Sequence, residues 1–160
     1  MVVILHNLRS SYNVGSIFRT SDAAGVEKIY LCGITPSPTD RFGNVNKKLI
    51  KVSLGAEKNV PFERAKSTTR LISRLKKEGY QILALEQSKN SQSIFKFKIK
   101  KKRKYALVLG AEVKGLPQGI LKKADKILEI PQRGKKESLN VAVAFGIAIF
   151  HLTFVKDLED

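Results

Sequence analysis

The chain has 160 residues, 42% of them apolar, enough for one folded domain with a real core and too many for a disordered segment. Thirty lysines and arginines against 14 acidic residues give a formal net charge of +16. That excess repels itself unless a polyanion is the partner, nucleic acid first and an anionic membrane surface second.

The single cysteine, Cys32, excludes an internal disulfide and a cysteine-rich metal site. His6 and His151 lack ligand spacing, so no metal is expected. The opening MVVILHNLRS has no basic segment before its short apolar run, unlike a signal peptide. A reducing, cytoplasmic setting is expected.

In chain order, Val2–Leu5 is a short apolar run, the mark of a buried strand. His6–Tyr12 is polar and carries Arg9. Asn13 stands as an N-cap before a helix with Val14, Ile17, Phe18 and Ser21 on one face and Gly25 as its stop. Arg19 lies off that face, toward a cleft, a partner or solvent. Lys28–Cys32 is a second strand. Gly33–Lys48, with two prolines, Gly43 and two asparagines, reads as a long loop of the kind that is often functional. Leu49–Glu57 reads as a short helix ended near Pro61. Phe62–Glu78 reads as an amphipathic helix with Ala65, Leu71, Ile72 and Leu75 inward and Gly79 at C′; its other face, with Arg64, Lys66, Arg70, Arg74, Lys76 and Lys77, is a solvated surface or a phosphate-binding one.

Tyr80–Leu85 is a third strand, followed by the polar turn EQSKNSQS. Ile94–Ile99 alternates apolar and basic residues, as in an edge strand or extended arm. The basic run Lys100, Lys101, Lys102, Arg103 and Lys104 suits phosphate contact. Tyr105–Gly110 is a fourth strand, and AEVKGLP a turn exposing Glu112 between Gly110 and Gly115. Pro117–Lys123 begins a short helix, and Asp125–Ile130 is the last strand. The chain then turns through Pro131 and Gly134, passes Ser138, a plausible N-cap, and Asn140, and enters a charge-free apolar stretch from Leu139 to Val155 that closes the fold as a buried helix to about Lys156. These 17 residues fall short of the roughly 20 that a membrane span needs.

Five strands alternating with helices predict an α/β fold with a mostly parallel sheet flanked by helices, as one domain over 1–160. The G-x-G-x-x-G and G-x-x-x-x-G-K-[ST] fingerprints are absent. Three polar constellations stand at C-terminal strand ends, where open α/β sheets bind ligands: Asn13/Arg19, Glu112 between its glycines, and Ser138/Asn140. Each alone also has a structural account, as a cap, a turn residue or a helix-start residue.

Together, the motifs resemble those of the SpoU/TrmH family in the SPOUT superfamily of RNA ribose methyltransferases. N-x-G-x-x-x-R is present as Asn13-Val14-Gly15-Ser16-Ile17-Phe18-Arg19, G-x-E-x-x-G within LVLGAEVKGLP, and I-P-x-x-G-x-x-x-S-L-N-V as IPQRGKKESLNV. The likeness runs from Val2 to about His151. Gln132 stands where many members have Met, and Ala142 where Ser commonly follows. The chain is expected to be without the added RNA-binding domain of many members. The resemblance implies a C-terminal deep trefoil knot, a homodimer formed through the first and last helices, and methyl transfer from S-adenosylmethionine to a ribose 2′-hydroxyl of tRNA or rRNA. It implies cofactor contacts at Leu109, Gly110, Ile130, Gln132 and Leu139, and places Arg19 at the ribose and its phosphate, as base or clamp. Asn13, Glu112 and Asn140 would hold Arg19 and the hydroxyl, and Ser138 would shape the cofactor loop. RNA would be gripped by Arg9, Arg41 and the 100–104 run. A non-catalytic RNA-binding protein on this fold and a base-methylating SPOUT enzyme are the alternatives.

Overall fold

Seven parallel strands form one sheet in a computed structural model that describes residues 1–154. In chain order the elements are β1 (Val2–His6), α1 (Ser11–Ala23), β2 (Lys28–Cys32), α2 (Lys47–Ser53), α3 (Ala56–Asn59), β3 (Phe62–Ala65), α4 (Thr68–Lys77), β4 (Tyr80–Leu85), β5 (Gln92–Ser93), a 3₁₀ turn (Ile94–Lys96), β6 (Lys104–Leu109), α5 (Gln118–Leu121), β7 (Lys126–Glu129) and α6 (Val141–Phe154). The strand order is β3-β2-β1-β6-β4-β7-β5, and every named pair is parallel. β7 therefore lies between β4 and β5, which follow one another in the chain.

The period-two pleat sorts the core into two layers. Val3, Leu5, Ile29, Leu31, Leu107 and Leu109 face one side with Val14, Ile17 and Phe18 of α1 and Phe145 and Ile149 of α6. Val2, Ile4, Ile82, Ala84, Ala106 and Val108 face the other with Leu71, Ile72 and Leu75 of α4. Covered on both faces, the central strands read as continuous apolar runs.

Several expectations are corrected. Ser10, not Asn13, caps α1, its hydroxyl accepting from Asn13 N–H at 3.2 Å. Asn46 caps α2, which starts at Lys47, two residues before Leu49, and Leu54 in the left-handed region ends it before α3. Phe62–Ala65 is not helix but the edge strand β3, so Ala65 and Arg64 belong to the sheet; α4 begins after its N-cap Ser67. The edge strand expected at Ile94–Ile99 is displaced to β5, with a 3₁₀ turn after it.

Ser138 does not cap α6. Asn140 does: its Oδ1 accepts from Ala142 N–H at 2.9 Å and Val143 N–H at 3.3 Å. Nor is α6 fully buried, since Val143, Ile147, Phe150 and Phe154 are 53%, 37%, 43% and 48% exposed. The expected end of that helix at Lys156 lies outside the described residues. Among the described residues, no helix is long and apolar enough to cross a membrane.

Candidate active site

Because all strands run the same way, their C-terminal ends share one rim. The turn after β6 is drawn tight there. Ala111 pairs with Gly115, whose N–H donates to Ala111 C=O at 2.9 Å. A Cβ on Gly110 would stand 2.4 Å from Gly115 C and 2.6 Å from Leu116 N, so only glycine lets the two backbone segments approach. Glu86, directly after β4, fixes the far side: its Oε2 accepts from Leu116 N–H at 2.8 Å.

At the tip of that turn Glu112 is half-buried rather than exposed as expected. Its carboxylate accepts from Arg9 N–H at 3.1 Å and Ser10 N–H at 3.1 Å, at the start of α1, where unpaired amides favour negative charge. Asn13 Nδ2 adds a bond of 3.2 Å. Burial pushes the Glu112 carboxyl up, but hydrogen bonds from its own N–H, from Ser10 and Arg9 N–H and from Asn13 outweigh it and hold the pKa below the ordinary value. Asn13 Oδ1 in turn accepts from Asn140 Nδ2 at 3.1 Å. One polar chain thus links the three motifs and ties the start of α1 to the start of α6.

Beside this chain lies a cavity of about 200 Å³. All five residues expected at a cofactor line it, Leu109, Gly110, Ile130, Gln132 and Leu139, together with Glu112 and Ser138. Its other walls add Leu85, Val141 and Ala144, and the carboxylates of Glu86, Glu129 and Glu137. In a chain of charge +16, four glutamates and no lysine or arginine line this cavity. An apolar wall with acidic groups at its edge suits a ligand that is part hydrocarbon and part cation. Sequence reasoning does not single out Glu86 and Glu129; the available signal is their place at the ends of two strands.

Arg19 is exposed on α1 and makes no hydrogen bond or ion pair with a described residue, so the network of Asn13, Glu112 and Asn140 does not hold it as expected. Arg9 lies on the rim, where its N–H engages Glu112, with its side chain exposed. Arg41 stacks over Phe42, 4.6 Å from the ring centroid. The 100–104 run is elsewhere: Lys104 opens β6, so the run sits at the opposite end of the strands, roughly 17–20 Å from the cavity. There Arg103 Nη1 donates to Gln81 Oε1 at 3.1 Å and Lys104 lies over the Tyr80 ring.

Residues 1–150 match the model of the SpoU rRNA methylase family. The chain is 34% identical over 150 residues to the 23S rRNA (guanosine-2′-O-)-methyltransferase RlmB of Blochmanniella floridana, covering 94% of this chain and 56% of that protein. Among solved structures, it superposes on an AdoMet-bound rRNA methyltransferase from Sinorhizobium meliloti with TM-score 0.84 and 31% identity, covering 94% of this chain and 54% of that one. The TrmH/SpoU tRNA modifying enzyme of A. aeolicus gives TM-score 0.82 and 28% identity over 99% of this chain and 75% of its own. The chain spans a little over half the length of the curated relatives it matches.

Proposed function

The chain belongs to the SpoU rRNA methylase family, and from that premise we propose that it transfers a methyl group from S-adenosylmethionine to a ribose 2′-hydroxyl of RNA. The observation that carries this reading is the convergence of the three motifs beside one acidic and apolar cavity. The donor set fits the cofactor: Leu109, Ile130 and Leu139 offer an apolar wall for a base, and the four glutamates offset a cationic head. When bound, S-adenosylmethionine supplies an electrophilic methyl on a positively charged sulfur.

The rest falls to this chain's own residues. With the cofactor held against Leu109, Ile130 and Leu139, they would orient the ribose 2′-hydroxyl toward the methyl donor, and the hydroxyl proton would leave to phosphate or water. Arg19 acts as a clamp and not as a base: its planar guanidinium holds the phosphate and orients the hydroxyl. Asn13, Glu112 and Asn140 keep α1, the helix that carries Arg19, and α6 in register with the cavity, and Ser138 shapes the cavity's loop. Holding a weak nucleophile in line contributes on the order of 7–11 kcal/mol at best.

Two copies pair through α6 and α1 in this reading, and Arg19 serves the cavity of the partner. Support comes from the exposed apolar stripe of α6, whose four members recur at helical spacing. The C-terminal part of the fold threads the deep trefoil knot that the family resemblance implies, and the protein works in the cytoplasm. RNA is held on basic surface, with Arg9 at the rim. tRNA and rRNA are both admitted as targets.

Calorimetry with S-adenosylmethionine, paired with mapping of 2′-O-methyl sites in RNA with and without the protein, tests the proposal. Cofactor heat and new ribose methylation are expected. Absence of cofactor binding favours the RNA-binding alternative, and a methylated base favours the other.

A further inference from the structure

The long segment after β2 is a built hairpin. Thr39 pairs antiparallel with Val45, and Asn46 N–H donates to Pro38 C=O at 2.9 Å. Asp40 staples its inside: the carboxylate accepts from Phe42 N–H at 2.8 Å, Asn44 N–H at 2.9 Å and Asn44 Nδ2 at 2.9 Å. Gly43 supplies the positive φ the tip requires. The outcome is a fixed tip carrying a phenylalanine that is 73% exposed, with the Arg41 guanidinium against its ring. An apolar ring held in water by so many bonds calls for a partner.

The surroundings say which partner. Phe42 and Arg41 line a groove of about 500 Å³ with Arg64 and Lys66. Both of those cations leave the expected solvated helix face because Phe62–Ala65 is a strand that aims its C-terminal end at this groove. Asp40, the one acidic residue lining the groove, is engaged by the hairpin's own amides. At the hairpin's foot, Asn46 Nδ2 donates to Ser11 Oγ at 3.0 Å, one residue after the α1 cap whose N–H engages Glu112. The tip is therefore rooted on the same helix start as the candidate active site.

We infer that Phe42 is a stacking platform for one unpaired base of the RNA substrate, with Arg41, Arg64 and Lys66 gripping the adjoining phosphates. The inference rests on the RNA-modifying reading and deepens it, because it assigns a target with an unpaired nucleotide near the methylated one. An aromatic ring gives sequence-tolerant affinity by stacking, and arginine adds a cation–π contribution. Three cations around an aromatic favour a phosphate-bearing strand over a protein partner.

The test measures binding of a fluorescent, unstructured oligouridylate to the wild-type chain, F42A, F42W and the double variant R64A/K66A, with S-adenosylmethionine calorimetry on each. F42A is expected to bind RNA about tenfold more weakly, and F42W to restore the affinity. R64A/K66A should lower the slope of log affinity against log salt by roughly 0.7 for each phosphate no longer neutralised. Cofactor heat should be the same in all four. Equal RNA affinity of wild type and F42A overturns the inference, as does an F42A protein whose only change is its self-association, which assigns the tip to a protein interface. Failure of the wild type to bind S-adenosylmethionine strikes the methyl-transfer reading alone, since the RNA titrations still report on Phe42.

Discussion

Asn13 and Asn140 lie 127 residues apart in the chain and share a hydrogen bond of 3.1 Å. Each is bonded twice over. Asn13 also donates to Glu112, and Asn140 caps α6. Removing either opens the joint between the first and last helices.

Asn140→Ala loses a cap and a side-chain bond, and should cost about 2 kcal/mol in urea unfolding. Asn13→Ala should cost about 1–2 kcal/mol. The double variant should fall short of their sum, because the two share one bond. Full additivity would show that the joint contributes nothing.

Glu112 makes stability depend on acid. Its carboxyl pKa is lowered on folding, so its contribution is fully present above the ordinary carboxylate value and is lost as pH falls through the depressed folded value. Glu112→Gln should therefore unfold at a lower urea midpoint near neutrality and show a smaller loss between about pH 5 and pH 3. Parallel pH profiles of the two proteins would contradict this.

Gly110→Ala places a methyl where Gly115 and Leu116 backbone atoms stand. Neither neighbour can rotate away, so the turn must open. About 1–3 kcal/mol of stability should go, with loss of cofactor heat in calorimetry.

Arg19→Lys keeps the charge and discards the planar fork. Methyl transfer is expected to fall about a hundredfold, on the order of 2.7 kcal/mol in the barrier, while cofactor affinity stays. Normal turnover would remove Arg19 from the reaction in either role.

Ile147→Asp puts a charge in the centre of the exposed α6 stripe. Sedimentation should shift from dimer to monomer, with little change in circular dichroism. A wild-type chain that sediments as a monomer would end the pairing proposal.

β1, β2, β4 and β6 are legible because their centres are buried on both faces and read as near-continuous apolar runs, and β7 shows through Ile127, Leu128 and the flanking Ile130. β3 is not: as an edge strand with Glu63 and Arg64 facing solvent or partners, it carries a helix-like mixture and merges with α4. β5, two residues long, has too little pattern to find. The motif residues are legible by their resemblance to a family, but their bonding is not. Periodicity does not reach across 99 or 127 residues, so Asn13 reads as a cap although Ser10 fills that role. The lysine run shows the limit of charge counting, since composition carries no position and the run opens the strand whose other end carries the cavity.

β5 pairs only with β7, and β7 arrives after everything else in the sheet. Translation releases the amino end first, so a growing polypeptide already holding β1 to β6 has an open place beside β4 and a stranded neighbour beyond it. That unzipped edge is the kind of surface on which nascent chains stick to one another. It also means that the cavity, whose lining includes Glu129 and Ile130, stays unfinished until β7 has been made and has slotted in beside β4.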